Sequence, residues 1–457
     1  MGNIIFFSHL PRKRRNAPRL LAPSIDGDLD EVKRLIGVYI ADYSTGGSDL
    51  PSFINEMDDS SSNNAAIHGA IYSGHLDVVR FLVECCALHQ GTRDDADEAV
   101  SGTTKEDDET MVAAAASSTS KTAIVDLLTL KNGLGCAPLW LAAGYDRISC
   151  LEYILRQLGH CDMLLVSLLR EGANNVGDTP LLAAASKGNV NVCDIIFQTI
   201  EEWYSRRRCG GRGCEDGDGG TNNDDNNNKI ECQRMKARVL RLANHAGDTP
   251  LQVAVASGHV ELVTMLLKVD KSNNIVCHHD DNEITTQDTT TTTSGGVEEI
   301  IDDECLLSNS IINVKNVKGL SPLIVACERN YVEIVKLLLS HNNNTNTNIR
   351  DTNGRSCLAV ASFCGCIDVV TYLLEEDERE RGGEEITAAT TTSLINAIDN
   401  HGRTPVWLAA RTGNLAMTQL LVNAGADVTL SDNDMVTPLD VAVKYKKEKV
   451  IEYLSSL

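Results

Sequence analysis

One short phrase recurs along the chain: Asp178-Thr179-Pro180-Leu181, Asp248-Thr249-Pro250-Leu251, Leu320-Ser321-Pro322-Leu323, Arg403-Thr404-Pro405-Val406 and Val436-Thr437-Pro438-Leu439. Each copy continues with an apolar pair and one or two Ala, and the clear copies place a Gly eight residues after the Pro, at Gly188, Gly258 and Gly413. An apolar helical pattern follows, as in Val260, Leu262, Val263, Leu266 and Leu267. A unit repeated in this way cannot bury its apolar face alone, so neighbouring copies must stack. A stack also explains how 457 residues manage without one very large core.

The spelling of the phrase has a physical basis. Thr or Ser before Pro caps a helix, and Pro at the first helical position loses nothing by its missing N–H and fixed φ. Ala lets a second helix approach closely, Gly permits the tight turn between the two, and apolar residues three and four apart give the second helix a buried stripe. Upstream, Asn174 and Gly177, Asn244 and Gly247, Asp351 and Gly354, and Asp399 and Gly402 keep the three-residue spacing of a β-turn.

Turn, helix, turn, helix at a period of about 33 residues, with a Thr-Pro-Leu-His-like opening, resembles the ankyrin repeat. The resemblance implies an all-α solenoid of antiparallel helix pairs joined by β-turns. Weaker copies align at Ala66-Ile67-His68 with Gly74, at Pro138-Leu139-Trp140 with Ala142-Ala143, and at Cys357-Leu358 with Gly365. Leu20-Leu21 with Gly27 opens the series, and Pro23 predicts a short first helix there. Lys446 stands at the Gly site of the last copy, whose polar Lys444–Lys449 stretch suits a capping repeat. That gives nine repeats. Residues 110–130, with Ala113–Ala116, Ile124, Leu127 and Leu128, fit either a tenth copy or an Ala/Ser/Thr-rich insert.

The expected organisation is a basic N-terminal tail over 1–16 and a repeat array over 17–457, with low-complexity inserts near 41–62, 87–109, 205–230, 270–308 and 375–393. The spans 210–228, 272–296 and 375–392 are rich in Gly, Asn, Asp, Glu or Thr, bury little apolar surface and are expected to be disordered excursions. They follow second helices, where closure entropy grows only slowly with loop length.

Composition excludes several functions. The 41 basic and 64 acidic side chains give −23, the wrong sign for a protein that displaces counterions from a duplex, so nucleic acid is not expected as a partner. No apolar run reaches membrane-span length and Ile4–Phe7 is too short for a secretory core, which predicts an intracellular, cytoplasmic protein without a membrane span. Fifteen scattered cysteines read as reduced thiols, with Cys150, Cys193 and Cys327 as small core residues. Arg12-Lys13-Arg14-Arg15 suits nuclear import or a solvated tail, and Gly2 is a weak myristoylation site because Phe6 stands where Ser or Thr is needed.

No phosphate loop, zinc-protease motif or nucleophile elbow is present, so no enzyme and no cofactor is expected. Cys209, Cys214 and Cys232 with Cys277-His278-His279 lack paired ligand spacing, and no metal is assigned. His68, Trp140 and Trp407 share the His place of the opening phrase and read as supports between neighbouring turns.

In the family, ligands lie against the turn tips and the two variable residues that end the first helix. Those positions supply Lys315, Lys318, Arg329, Arg350, Arg355, Arg403 and Arg411 in the last four repeats, and Tyr72 and Tyr145 nearer the N-terminus, against Glu328 and Asp434. The expectation is a monomeric, non-catalytic protein-binding scaffold whose basic strip takes an acidic segment of another protein. The alternative is a regulatory subunit that localises or inhibits an enzyme, nuclear through Arg12 to Arg15.

Overall fold

The computed structural model describes residues 20–43, 54–55, 63–88, 118–161, 163–169, 172–209, 222–272, 311–341, 349–380 and 394–457. The N-terminal basic run and most of the low-complexity spans, including Cys214 and Cys277–His279, lie outside them. Two compact units divide the chain, at 1–216 and 217–457.

In the first unit, four helix pairs follow one another: α1 (Leu21–Asp26) with α2 (Leu29–Tyr43), α3 (Ala66–Ser73) with α4 (Leu76–Leu88), α6 (Pro138–Gly144) with α7 (Ile148–His160), and α9 (Pro180–Lys187) with α10 (Val190–Cys209). First helices pack on first helices and second on second, in chain order. Two further helices interrupt them, α5 (Ser118–Thr129) and the short α8 (Leu164–Leu168). α5 packs on α4, α6 and α7 through Ile124, Leu127 and Leu128, all buried. The second half of the stretch weighed as a tenth repeat is therefore a packed helix, while residues 110–117 lie outside the described residues. α1 is six residues long against eight in α9, as Pro23 predicts.

The second unit opens with α11 (Asn222–Arg241), which packs on α12 (Pro250–Ser257) and α13 (Val260–Ser272). Four more pairs follow: α14 (Pro322–Glu328) with α15 (Val332–His341), α16 (Cys357–Cys364) with α17 (Ile367–Glu380), α18 (Pro405–Thr412) with α19 (Leu415–Asn423), and α20 (Pro438–Lys444) with α21 (Glu448–Ser455). The helices reach into spans read as inserts: α10 runs to Cys209, α11 starts at Asn222 inside 205–230, and α17 runs to Glu380. α11 is anchored by the buried Met235, Ala237, Val239 and Leu240.

The cap grammar is realised. Thr179, Thr249, Ser321, Ser356, Thr404 and Thr437 each accept a hydrogen bond from the backbone N–H three residues on, at 3.2–3.4 Å. Glycines end α1, α3, α9, α12, α16 and α18 in the left-handed conformation. Where Gly is missing, Asp146, Asn330 and Lys446 adopt the same positive φ of 54–60°. Ala359, Trp407, Leu408, Ala410, Val441, Ala442, Val450 and Leu454 form one continuous buried cluster, so the Ala positions do let the helices close up.

Candidate interaction surface

The turns share one construction. A side-chain oxygen of Asn132, Asn174, Asn244, Asn316, Asp351, Asp399 or Asp432 accepts from the backbone N–H groups two and four residues on, at 2.8–3.0 Å. The turn is thus closed by its own first residue. Three residues on, Gly135, Gly177, Gly247, Gly319, Gly354 and Gly402 have φ of 70–83°, and in the last turn Met435 takes the place at φ 61°.

Successive turns are tied into a ladder. Asn175 N–H donates to the Leu134 carbonyl, and in the second unit Val317, Asn400 and Asn433 donate to Ala246, Asn353 and His401, at 2.9–3.1 Å. The glycines are needed for this approach as well as for φ: a Cβ on Gly354 would stand 2.2 Å from Asn400 Oδ1, and one on Gly402 2.5 Å from Asn433 Oδ1.

A second tie runs from the His place of the opening phrase. His68 Nδ1 accepts from Ala65 N–H and its Nε2–H donates to the Leu130 carbonyl at 3.0 Å. Trp407 Nε1–H donates to Val436 O at 3.1 Å. Gln252, at the same place of its own copy, does the same work, donating to the Val314 and Leu320 carbonyls at 3.2 and 2.7 Å. Trp140 Nε1 is buried with no hydrogen-bond partner among the described residues.

The candidate cations separate into two groups on this frame. Arg355 and Arg403 grip the carboxylates that close their own turns: Nε lies 2.8 Å from Asp351 and Asp399 respectively, and a terminal nitrogen 2.7 Å away, with both carboxylates buried. Arg350 donates to the carbonyls of Gly354 and Ile398, joining two turns. These three hold the frame, and the solvent-facing strip is narrower than the sequence suggests. Lys315, Lys318 and Arg329 are exposed and Arg411 is partly buried; of these only Lys315 reaches a neighbouring turn, donating to Arg350 O at 2.8 Å.

Aromatic rings accompany the arginines. Arg355 lies 5.8 Å over Phe363, Arg403 5.6 Å over Trp407 and Arg411 5.5 Å over Tyr445. Phe363 and Tyr445, at the variable first-helix positions, remain 37% and 44% exposed. In the first unit Tyr72 on α3 and Tyr145 at the end of α6 occupy the corresponding positions, with ring centroids 4.7 Å apart in an edge-on contact, and burial raises the Tyr145 hydroxyl pKa.

No group of three or more His, Cys, Asp or Glu among the described residues is placed to hold a metal. Cys150, Cys193 and Cys327 are buried; burial pushes the Cys150 thiol up to about 11 and Cys193 up to about 12, which suppresses thiolate chemistry. No helix among the described residues is long and apolar enough to cross a membrane.

The ladder, the caps and the helix pairs agree with what similarity to known proteins gives. A family model of ankyrin repeats in three copies matches residues 297–389 and again 386–457, and a single-repeat ankyrin model matches 246–278. The first match begins inside the span read as a 270–308 insert. Potassium channel AKT2/3 of Arabidopsis thaliana is 31% identical over 155 residues, 30% of this chain and 19% of that protein. Tyrosine-protein kinase HTK16 of Hydra vulgaris is 24% identical over 155 residues, 33% of this chain and 18% of that protein. ANK repeat-containing protein nipk-1 of Caenorhabditis elegans is 30% identical over 124 residues, 27% of this chain and 20% of that protein. The chain thus spans a fifth or less of these relatives' own lengths.

Proposed function

We propose that this chain, an ankyrin-repeat protein by the models that match residues 246–278 and 297–457, is a non-catalytic, monomeric scaffold binding an acidic segment of another protein. The observation that carries the reading is local charge: on a chain of net −23, the exposed Lys315, Lys318 and Arg329 and the partly buried Arg411 gather on turn tips and first-helix ends of adjacent pairs. Arg350, Arg355 and Arg403 serve the same face by fixing its turns. Tyr72 and Tyr145 are the corresponding contacts of the first unit.

An immobilised twelve-residue peptide of alternating Glu and Gly tests it. The variant Lys318→Ser, Arg329→Ser, Arg411→Ser spares the turn-closing arginines, so its helical melt stays in place while association slows and binding loses its decline with salt added above the physiological level. Unchanged binding and unchanged salt dependence would overturn the reading and move attention to Tyr72 and Tyr145.

The Arg12–Arg15 run favours a second reading, a regulatory subunit that localises or inhibits an enzyme in the nucleus. A fluorescent fusion of the full chain separates the two: that reading requires nuclear signal that disappears when Arg12, Lys13, Arg14 and Arg15 become Ser.

A further inference from the structure

The acidic-segment reading leaves open what holds the segment in place, because solvated charge contributes more to association than to residence. Phe363 and Tyr445 bear on this. Arg355 is locked edge-on by the buried Asp351, so its guanidinium is charge-balanced and its plane is fixed over Phe363. Phe363 therefore offers an apolar surface backed by a rigid group, with Arg329 exposed on the neighbouring α14 end. At Tyr445 a cation again covers the ring: Arg411 lies over it, with Lys444 and Lys446 exposed beside it. Each partly exposed ring thus has cations at its margin, and Arg411 on α18 lies between the two rings in the helix order α16, α18, α20.

Resting on that reading, we propose that the bound segment is an extended acidic peptide with two apolar side chains, one seated on Phe363 and the other on Tyr445, and Asp or Glu between them and on the outer side of the Phe363 anchor, toward Arg329. A purely acidic segment leaves both rings uncovered, and a purely apolar one leaves Arg329, Arg411 and Lys444 without counter-charge. Spacing follows from the fold. Two successive helix-to-helix steps of about 8–10 Å separate the rings by roughly 16–20 Å, which an extended chain rising about 3.3 Å per residue covers in five or six residues.

A displayed library of random peptides about twelve residues long, panned on the full chain, tests the proposal. The expected selection has two aliphatic or aromatic positions about five or six apart with two or more acidic residues between. A synthetic peptide from that pool should bind Phe363→Ala and Tyr445→Ala about tenfold or more weakly, with the salt slope unchanged. Phe363→Leu should retain most of the affinity. Helical melts check that the variants fold, which the exposure of both rings favours. Acidic selections without the spaced apolar pair, bound equally by wild type and both ring variants, overturn this inference and leave the acidic-segment reading standing. Selections without acidic residues, or binding that survives both the ring variants and Arg329→Ser with Arg411→Ser, overturn both.

Discussion

At the scale of single residues, the side chain that closes a turn does a second job in two copies, whereas Asp432 closes its turn with the apolar Val436 four residues on. Either Asp or Asn supplies the oxygen that closes the turn, but Asp351 and Asp399 face Arg355 and Arg403 four residues on, whereas Asn132, Asn174, Asn244 and Asn316 face Cys136, Asp178, Asp248 and Leu320. Asp399→Asn should keep the turn but set its N–H2 against the Arg403 guanidinium, costing about 2 kcal/mol, while Asp399→Ala strands the two backbone N–H groups as well and should cost roughly 4 kcal/mol. Urea unfolding of the two variants checks the ordering, and equal losses would mean the turn-closing bonds contribute nothing. Met435 gives the opposite sign. It sits at a glycine place with positive φ and is 80% exposed, so Met435→Gly should raise stability by about 0.5–1 kcal/mol, the relief of left-handed strain less glycine's extra unfolded-state freedom. The turn glycines and the acid or amide before them were legible in the sequence because they recur at fixed offsets. The engagement of Arg355 and Arg403 was not, since a cation at a turn tip reads the same whether it faces solvent or its own turn.

Among elements, the first helices could be read almost to the residue, because Thr-Pro marks their start and Gly or a left-handed Asn their end. Gln252 escaped because an amide does not resemble His or Trp, although it reaches the same carbonyls. Helices outside the repeat grammar were harder. α11 begins in Asn222–Asn228, where no apolar period announces it, and its buried residues Met235, Ala237, Val239 and Leu240 lie further along. α5 is the sharper case, since Ile124, Leu127 and Leu128 are buried as fully as any second-helix residue. Leu127→Ala should therefore cost about 2–4 kcal/mol of stability, as in any close-packed core. A melting curve indistinguishable from wild type would return residues 118–129 to the status of an appendage.

For the whole molecule, charge acts at two ranges with opposite signs. The total of −23 repels an acidic ligand, while the cations on the turn tips and first-helix ends attract it at close quarters. Their reach depends on salt: the Debye length is about 30 Å at 0.01 M and about 8 Å at 0.15 M. At the lower concentration a ligand approaching the face feels much of the chain's net charge, and at the higher one it feels little beyond the residues it touches. Above about 1 M, with a screening length near 3 Å, the local attraction is screened as well. Affinity for the alternating Glu/Gly peptide should therefore pass through a maximum between these limits, rising from 0.01 M toward physiological salt and falling beyond it. Lys318→Ser, Arg329→Ser, Arg411→Ser together should abolish the falling limb and leave the low-salt repulsion. Titration calorimetry across that range checks it. A monotonic decline would mean that the net charge is not felt at the face, and a flat profile would remove electrostatics from recognition altogether.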